Sequence, residues 1–239
     1  MKIALIGYGK MGKAIEEIAT QRGHEITMRI GTANKDEMTR ENLRMADAII
    51  EFTRPEAAKE NVLLCLEAGV PVVCGTTGWN DELATAKLSA TENETAFLWA
   101  SNFSVGVNIF FEVNKLLASL MNNQDEYEIS IEETHHTQKK DAPSGTAITL
   151  AEQILENIQR KKHWAKESTN SSDEFPIVAH RIDNIPGTHK ITYHSAIDNI
   201  EITHTAHNRQ GFALGAVLAA EFISGKQGIF TMKDVLGIR

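Results

Sequence analysis

The chain begins with the segment Lys2-Ile-Ala-Leu-Ile-Gly-Tyr-Gly-Lys-Met-Gly12, in which a short apolar run leads directly into a G-x-G-x-x-G sequence. The apolar run is typical of a buried parallel strand, and the residues after the glycines keep the apolar spacing of a helix. In such a strand, turn and helix, the glycines permit a tight turn, close approach of a pyrophosphate and packing of the helix on the strand. The segment predicts a dinucleotide site, the alternative being a glycine-rich turn without a ligand. Its residues are Gly7, Tyr8, Gly9, Lys10, Met11 and Gly12.

The residues after the second predicted strand, over 24–30, bear on the choice of nucleotide. NAD-binding proteins usually place a carboxylate there, where it bonds the ribose 2′-hydroxyl. This chain has Gly31 to Lys35 instead, and its first acid is Asp36. Without that carboxylate a 2′-phosphate is not repelled, and Lys35 or Arg29 could pair with it. The pattern favours NADPH, with NADH also used; the alternative is that both cations simply face solvent.

Further strands and helices alternate through the first hundred residues. Apolar runs over 46–52, 70–74 and 95–99 read as strands, and a helix with apolar positions at helical spacing follows Pro55. This alternation predicts a Rossmann-type, doubly wound parallel sheet. Gly75-Thr-Thr-Gly78 and Ala100-Ser-Asn-Phe103 follow two of these strands. Such a sheet binds its ligands at the carboxyl ends of its strands, so the small and hydroxyl residues of the first segment are candidates for ligand binding.

The alternation stops after Asn108. A helix over 109–121, a strand from Tyr127 and a helix to about 162 are followed by a polar loop over 166–174. Three more strand-like runs follow, and the last two flank a turn at Asp198 and Asn199, which predicts a hairpin. We expect an inserted α+β domain with an open mixed sheet, covered on one face by two helices. A symmetric partner chain is the usual cover for the other face. The three runs span 177–182, 190–194 and 200–206.

One short segment concentrates the candidate chemistry, Glu133-Thr-His-His-Thr-Gln-Lys-Lys-Asp-Ala-Pro-Ser-Gly-Thr-Ala147. Ser144 is placed to cap a helix, and the missing side chain of Gly145 lets an anion approach the first N–H groups of that helix. Two imidazoles and a lysine precede it, His135, His136 and Lys139, and these groups can donate protons and pair with carboxylates. The segment predicts a pocket for a small anionic substrate that must be protonated.

This segment resembles the active-site segment of the 4-hydroxy-tetrahydrodipicolinate reductase (dihydrodipicolinate reductase) family of the lysine and diaminopimelate pathway. The family pattern is Glu-x-His-His-x-x-Lys-x-Asp-Ala-Pro-Ser-Gly-Thr-Ala, and the chain matches it at every specified position. Phe-Thr-Arg-Pro, Gly-Thr-Thr-Gly and Asn-Phe-Ser-Val-Gly-Val-Asn also resemble family segments. Two departures are visible. The acid and arginine that usually follow the second strand are missing, and Asp183 stands where glycine is usual, although Arg181 and His189 are retained.

The resemblance implies a two-domain oxidoreductase that reduces 4-hydroxy-tetrahydrodipicolinate with NADPH or NADH. It implies a dinucleotide-binding domain over 1–103 and 209–239, a substrate-binding and oligomerisation domain over 104–208, and a homotetramer. His135 is the expected general acid, assisted by Lys139. The expected substrate-binding residues are His136, Lys139, Ser144, Gly145 and Thr146; His136 could instead orient the pocket. The expected cofactor contacts beyond the glycine turn are Gly75, Thr76, Thr77, Ala100, Ser101, Asn102 and Phe103. The alternatives are that Phe103 is a core residue and that Gly-Thr-Thr-Gly is a plain turn.

Composition narrows the class of protein. The chain has 239 residues and a formal net charge of −8, with no basic run, so a nucleic-acid partner is not expected. The two cysteines, Cys65 and Cys74, have neither disulfide nor metal spacing, which indicates buried thiols in a reducing compartment. No signal-like or membrane-length apolar run is present. We therefore expect a cytoplasmic protein without a bound metal.

Three other functions remain as alternatives. One is another two-domain nicotinamide oxidoreductase, such as an amino-acid or semialdehyde dehydrogenase, which would need a reactive cysteine or a different base. A second is a nucleotide-sensing regulatory protein without catalysis, which would show no substrate-dependent oxidation of a cofactor. A zinc enzyme is the least favoured, because the nine histidines form no H-E-x-x-H motif.

Overall fold

The computed structural model describes residues 1–238. The chain divides into two compact units. The first comprises Met1–Val105 and the segment from Arg209 onward, and the second comprises Gly106–Asn208. The second unit is therefore an insertion into the first.

The first unit is built on a six-stranded sheet in which every pair of neighbours is parallel. Its strands are β1 (Lys2–Ile6), β2 (Glu25–Ile30), β3 (Ala48–Glu51), β4 (Val72–Cys74), β5 (Ala96–Trp99) and β11 (Gly228–Phe230), in the order β11-β5-β4-β3-β1-β2. Its helices are α1 (Lys10–Gln21), α2 (Arg40–Leu43), α3 (Pro55–Glu67), α4 (Leu83–Glu92), α7 (Gln210–Ile223) and α8 (Met232–Leu236).

The central strands of this sheet are buried on both faces, which explains their continuous apolar sequences. One core joins the sheet to α3 and α4, through side chains such as Val62 and Leu66. The other joins it to α1 and α7, through Ile15 and Val217. The predicted doubly wound parallel sheet is confirmed. Strand β11 was not predicted, because three residues carry no periodicity; it forms where Gly228 N donates to Thr95 O at 3.0 Å.

The second unit contains a mixed five-stranded sheet and two helices. Strand β6 runs parallel to β8 and antiparallel to β9, and β9 forms the predicted hairpin with β10. The predicted open mixed sheet is confirmed. No helix within residues 1–238 is long and apolar enough to cross a membrane. The elements are α5 (Val105–Met121), β6 (Glu128–His135), α6 (Gly145–Asn157), β7 (His163–Lys166), β8 (Glu174–Arg181), β9 (Gly187–His194) and β10 (Asn199–Ala206), and the sheet order is β10-β9-β6-β8-β7.

Helix α6 ends at Asn157, earlier than the sequence pattern predicts, and the next residues lead to a strand that the pattern did not show. The reason is Lys161, whose side chain is buried. Its ammonium group donates to Glu128 Oε2 at 2.7 Å, to Ser172 O at 2.8 Å and to Glu174 O at 3.0 Å. A buried ammonium needs all three partners, and a continuing helix would not present it to them. This lysine joins the C-terminal end of the polar loop to Glu128 of β6.

Gly215 offers a test of packing in the first unit. A Cβ atom built on this residue of α7 would lie 1.7 Å from Phe103 O. We expect Gly215→Ala to lower the free energy of unfolding by about 1–3 kcal/mol, because the helix must move away from this carbonyl. Urea denaturation measures the change. Gly211→Ala is the matched control, since its Cβ meets only Ser104 Oγ at 3.5 Å. Equal stability of both variants would contradict the prediction.

Candidate active site

The glycine turn has the form that the sequence predicts. Gly7 adopts φ +96°, and a Cβ there would lie 1.9 Å from Phe52 O, so only glycine fits. A Cβ on Gly12 would lie 2.4 Å from Gly7 O, which shows how closely α1 packs on the turn. Gly9 precedes α1, and a Cβ there would meet nothing within 4 Å. This open space at the start of α1 fits a pyrophosphate held by backbone N–H groups.

The other predicted cofactor segments lie at the same edge of this sheet. Phe52 N donates to Ile6 O at 2.8 Å, Gly75 N to Glu51 O at 2.9 Å, and Ala100 N to Cys74 O at 3.3 Å. These bonds connect the carboxyl ends of β1, β3, β4 and β5. The structure thus brings together the glycine turn, residues 75–77 and residues 100–103.

The side chain and carbonyl of Thr76 make hydrogen bonds within the protein at this edge of the sheet. Its hydroxyl donates to the buried carboxylate of Glu51 at 2.8 Å and accepts from Thr53 N at 2.7 Å. Its carbonyl accepts from the indole nitrogens of Trp79 and Trp99 at 2.7 and 2.8 Å. Thr76 is 4% exposed, so its side chain is directed into the protein.

Phe103 is a core residue, which was the alternative that the sequence left open. It is 2% exposed, and its ring lies 5.6 Å from the ring of Phe52. Its side chain is therefore not presented to a ligand. Of its neighbours, Ser101 is exposed, and Asn102 accepts a bond from Ser104 N at 2.9 Å.

Both cations that the sequence offers to a 2′-phosphate are already paired. Arg29 donates to Glu16 Oε1 through Nε at 2.9 Å and also through Nη2. Glu16 accepts a further bond from the hydroxyl of Tyr8. Lys35 Nζ lies 2.7 Å from Glu60 Oε2. A phosphate would have to compete with these carboxylates.

The second cluster of functional groups lies in the second unit, where β6 runs between β8 and β9. The strand register pairs His135 with Arg181 and Glu133 with His189. Side chains alternate along a strand, so Glu133 and His135 share the buried, helix-covered face with Ile131. Polar groups on that face require partners within the protein.

Glu133 is the centre of these partners. It is fully buried, and its Oε1 accepts from Ser144 N at 3.0 Å and from Arg181 Nη2 at 3.1 Å. Its Oε2 lies 3.4 Å from His135 Nδ1 and 3.6 Å from His189 Nε2. Burial alone would raise the pKa of Glu133, but the interactions with His189, Ser144 and Arg181 outweigh it and lower the pKa to about 2. Glu133 is therefore ionised at neutral pH.

His135 has the opposite character. Burial and, to a lesser degree, the neighbouring charge of His189 lower its pKa to about 4, although the charge of Glu133 acts in the other direction. The two imidazole rings meet edge to face, with centroids 5.0 Å apart. At neutral pH the His135 ring is uncharged until a further negative charge comes near it.

These two groups predict how stability depends on pH. His135 takes up a proton more readily when unfolded, so its contribution to stability is lost as the pH falls from 6.5 towards 4. Glu133 contributes a second loss as the pH falls from 4.5 towards 2. We expect the free energy of unfolding to fall by roughly 2–3 kcal/mol as the pH falls through the range of His135. Urea denaturation across this window, with wild type and His135→Gln, measures it. A variant with an unchanged slope would contradict the assignment.

The start of α6 is open on one side. Ser144 caps the helix, since its hydroxyl accepts from Ala147 N at 3.2 Å, and it also lies 3.2 Å from His189 Nε2. Gly145 is exposed, and a Cβ there would meet nothing within 4 Å. Thr146 is half-buried beside it. The backbone N–H groups at this end suit a carboxylate.

The loop between β6 and α6 carries Lys139, whose Nζ lies 2.7 and 2.8 Å from the two carboxylate oxygens of Asp141. Arg181 holds this loop, because its guanidinium donates to Lys139 O and to Asp141 O. His136 is half-buried, and its Nδ1 has no partner among residues 1–238. Arg181 therefore connects the loop with Glu133.

Asp183, where the family usually has glycine, causes no backbone strain. The residue in the left-handed conformation is Asn184, with φ +63°. Asparagine tolerates that region better than most residues do. The Asp183 carboxylate accepts a hydrogen bond from the hydroxyl of Thr137. The aspartate thus adds a hydrogen bond to the loop that follows His136.

Three residues of this cluster were not among the predicted site residues: Glu133, Arg181 and His189. A signal was present for two of them. Glu133 has the strand parity of Ile131, and His189 has that of Ile191, so each places a polar side chain on an apolar face. For Arg181 the strand pattern held no comparable signal.

Glu133, His135 and His189 also have the composition of a metal site. Their ligand atoms all lie within 4.8 Å of one another, and no other such group occurs within residues 1–238. The two cysteines are different: both are buried free thiols, and burial followed by the charge of Glu51 raises their pKa values. Neither thiol is suited to be the nucleophile of a semialdehyde dehydrogenase.

A Rossmann-type unit joined to an α+β unit with a histidine centre is an arrangement found in nicotinamide-dependent oxidoreductases, and the chain is a member of that class. Within it, the chain belongs to the dihydrodipicolinate reductase family. The model of the family's N-terminal part, "Dihydrodipicolinate reductase, N-terminus", matches residues 1–103, and "Dihydrodipicolinate reductase, C-terminus" matches residues 106–236.

Individual relatives agree with this membership. The chain is 52% identical over 238 residues to the 4-hydroxy-tetrahydrodipicolinate reductase of Christiangramia forsetii, covering 99% of this chain and 98% of the relative. It is 38% identical over 202 residues to that of Chromobacterium violaceum, covering 81% and 74%. The dipicolinate-bound dihydrodipicolinate reductase from Paenisporosarcina sp. TG-14 is similar in fold, with a TM-score of 0.78, 23% identity and 97% of both chains covered.

Proposed function

We propose that this protein reduces 4-hydroxy-tetrahydrodipicolinate to tetrahydrodipicolinate in lysine and diaminopimelate biosynthesis, with NADPH or NADH as the reductant. One hydride and one proton enter the substrate, and one water leaves its hydroxylated ring. The observation that carries the proposal is the buried Glu133 beside His135, next to the open start of α6. It gives one small site an ionised carboxylate, a proton carrier and a carboxylate cradle. The 52% identity to a reductase of this name supports the same reaction.

The nicotinamide, when bound, supplies the hydride. The protein has to supply the proton, and we assign this to His135. Glu133 Oε2 lies 3.4 Å from its Nδ1, and the negative charge of the carboxylate favours a proton on that nitrogen and stabilises the imidazolium form. The pKa of His135 is low in the ligand-free site. A cyclic dicarboxylate placed against it adds negative charge and raises that pKa towards neutrality, so that His135 becomes an effective acid only when substrate is bound.

The substrate carboxylates are assigned to the start of α6 and the loop before it. Gly145 and Thr146 lie in the first turn of α6, where backbone N–H groups have no acceptor within the helix, and the space at Gly145 is open. Lys139 and His136, on the loop before α6, are assigned to the same carboxylates. Ser144 keeps its hydroxyl for capping α6 and its N–H for Glu133, so its main role is to hold the cradle. Lys139 exchanges Asp141 for a substrate carboxylate in this proposal, which keeps its ammonium group paired in both states.

The nucleotide is assigned to the edge formed by the glycine turn, residues 75–77 and residues 100–103. The space in front of Gly9 and the exposed Ser101 support this placement. We propose that the protein uses both NADPH and NADH. The pairing of Arg29 with Glu16 removes one cation that the sequence offered to a 2′-phosphate and weakens the preference for NADPH.

A coupled assay tests the reaction directly. Dihydrodipicolinate synthase generates the substrate in place from pyruvate and aspartate semialdehyde, and the absorbance of NADPH or NADH is followed. We expect loss of absorbance only when the synthase and this protein are both present. Pyridine-2,6-dicarboxylate, a planar analogue of the substrate, should inhibit it. No substrate-dependent oxidation of either cofactor would overturn the proposal and favour the nucleotide-sensing alternative.

Glu133, His135 and His189 favour one second candidate, a metal-dependent reaction at the same centre. Arg181 and Ser144 already satisfy Oε1 of Glu133, which leaves only Oε2 to serve a cation or an imidazole. We therefore assign this centre to proton transfer. Treatment with a chelator separates the two: activity that persists after complete removal of divalent metals supports the proton role, and activity restored only by added zinc supports the metal.

We also propose that the protein is a cytoplasmic homotetramer assembled through the second unit. The face of the sheet opposite α5 and α6 carries polar side chains such as Glu132, Lys190 and Thr192, which suit a wet subunit interface. The buried free thiols agree with a reducing compartment. Light scattering coupled to size exclusion, at dilutions down to the assay concentration, tests the assembly.

A further inference from the structure

The carboxyl end of β2 lies directly beside the glycine turn. Gly7 N and Tyr8 N both donate to Ile30 O, at 2.9 and 3.0 Å. In Rossmann-type domains this is where the ribose of the adenosine half is recognised, usually by a carboxylate at the end of the second strand. Here Gly31 occupies that place. The expected acid is therefore missing from the strand itself.

Asn34 does not replace the missing acid, because its amide is already used. Its Oδ1 accepts from Gly31 N at 2.8 Å, and its Nδ2 donates to Arg29 O at 3.1 Å and to Glu37 Oε2 at 3.2 Å. The side chain folds back on its own turn. It is a structural residue of the segment after β2.

A carboxylate is nevertheless present beside this place, contributed by α1. Glu16 accepts from Arg29 through Nε at 2.9 Å and through Nη2, and from the hydroxyl of Tyr8. Tyr8 belongs to the glycine turn and Arg29 to the end of β2, so the carboxylate joins both elements that surround the ribose position. Arg29 and Tyr8 together lower the pKa of Glu16, which keeps it charged at neutral pH. Arg29 is one of the two cations that the sequence offers to a 2′-phosphate.

We propose that Glu16 determines the choice between NADH and NADPH in this protein. Its negative charge repels a 2′-phosphate and occupies the guanidinium that would otherwise bind one. Glu16, on the first helix, thus discriminates against a 2′-phosphate as an acid after the second strand does in other dinucleotide-binding proteins. The inference rests on the proposed nicotinamide chemistry. It predicts that the wild-type protein binds NADPH less tightly than a protein in which Arg29 is not paired with Glu16.

Glu16→Gln tests the proposal, because glutamine keeps the size of the side chain and removes the charge. We expect the ratio of kcat/KM with NADPH to kcat/KM with NADH to rise roughly 3- to 30-fold. The gain should shrink as salt is added, since the new contact is electrostatic and partly exposed. Arg29→Gln in the Glu16→Gln background should cancel it. Glu17→Gln is the matched control: it is exposed on the same helix, outside the cluster, and changes the net charge equally.

Calorimetric titration of each variant with NADPH and with NADH, in the absence of substrate, measures the two dissociation constants. This measurement separates the inference from the proposed function. A shifted ratio of dissociation constants supports the role of Glu16 even if no turnover is found. A ratio that is the same in wild type, Glu16→Gln and Glu17→Gln overturns it. An equal rise in both glutamine variants overturns it too, because it would show an effect of net charge alone. Thermal denaturation verifies that each variant is folded.

Discussion

Replacement of His135 by glutamine is expected to lower kcat by about 10²–10⁴-fold, the range typical of a lost general acid. Glutamine retains a polar side chain of similar length, so Glu133 still has a donor within reach, but it cannot transfer a proton. The loss should fall on kcat more than on KM, because the proton is needed in the transition state and not for binding. The coupled assay with both cofactors measures it.

His180→Gln is the matched control for this experiment. His180 lies on β8, half exposed, with Nε2 4.0 Å from Glu132 Oε2, on the polar side of the sheet. Its replacement should leave turnover unchanged. In the wild type, kcat should also show a group that must be protonated, with an apparent pKa above the value of about 4 that holds without substrate. Near-native turnover of His135→Gln would remove this residue from the mechanism.

Lys139→Ala is expected to produce a loss in the same range, about 10²–10⁴-fold, with a different division between the constants. Lys139 pairs with a carboxylate already in the ligand-free protein, through Asp141. If the Lys139 ammonium group leaves Asp141 and pairs with a substrate carboxylate, its removal raises KM as well as lowering kcat. Lys140→Ala, an exposed neighbour on the same loop, is the control. Unchanged kcat and KM in Lys139→Ala would exclude both the proton-assisting and the carboxylate-binding role.

The largest effect on stability is expected for Glu133→Ala. Removing this carboxylate leaves the N–H of Ser144 without its acceptor and the guanidinium of Arg181 without its anionic partner, with only backbone carbonyls to accept from it. Loss of one partner from a buried charged pair costs about 3–5 kcal/mol, so we expect the free energy of unfolding to fall by that amount. Chemical denaturation of the intact chain measures it. Glu152→Ala, at an exposed position of α6, should change stability by less than about 0.5 kcal/mol.

Glu133→Gln is the variant for activity in case the alanine variant is too unstable to assay. It keeps one acceptor for Arg181 and Ser144 but removes the charge that faces His135 at 3.4 Å. We expect lower kcat, with the protonated form of His135 confined to more acidic pH, because the imidazolium loses its stabilising carboxylate. A pH profile identical to that of the wild type, in a folded variant, would contradict the role of Glu133.

Local patterns predicted most elements, and the reason is that their determinants are close together in the chain. The turn from Gly7 to Gly12, the cap at Ser144 and the alternation of β6 depend on neighbours within a few residues. The exceptions are instructive. Strand β11 and the early end of α6 depend on Thr95 and on the three partners of Lys161, which lie far away in sequence.

The partners of the candidate site could not be predicted in the same way. Glu133 and Arg181 are 48 residues apart, and they meet because β6 and β8 are neighbours in one particular register. Arg29 and Glu16 meet because α1 packs beside β2. The contact of Thr76 with the cofactor, which the family resemblance implies, stays a prediction; the bond from its hydroxyl to Glu51 is one that no local pattern indicated. A shift of one residue in any of these strands would turn the side chains to the opposite face.

By itself, the amino-acid sequence determined the class of fold and the family, because both are encoded in short segments with restricted backbone conformations. The proposed proton donor and the proposed carboxylate cradle also come from one such segment. The tertiary structure alone decided which carboxylate lies beside His135, which arginine supports the loop of Lys139, and that Arg29 is already paired with Glu16. Those features depend on side chains from separate strands and helices meeting in a low-dielectric interior, where every buried charge must find a partner.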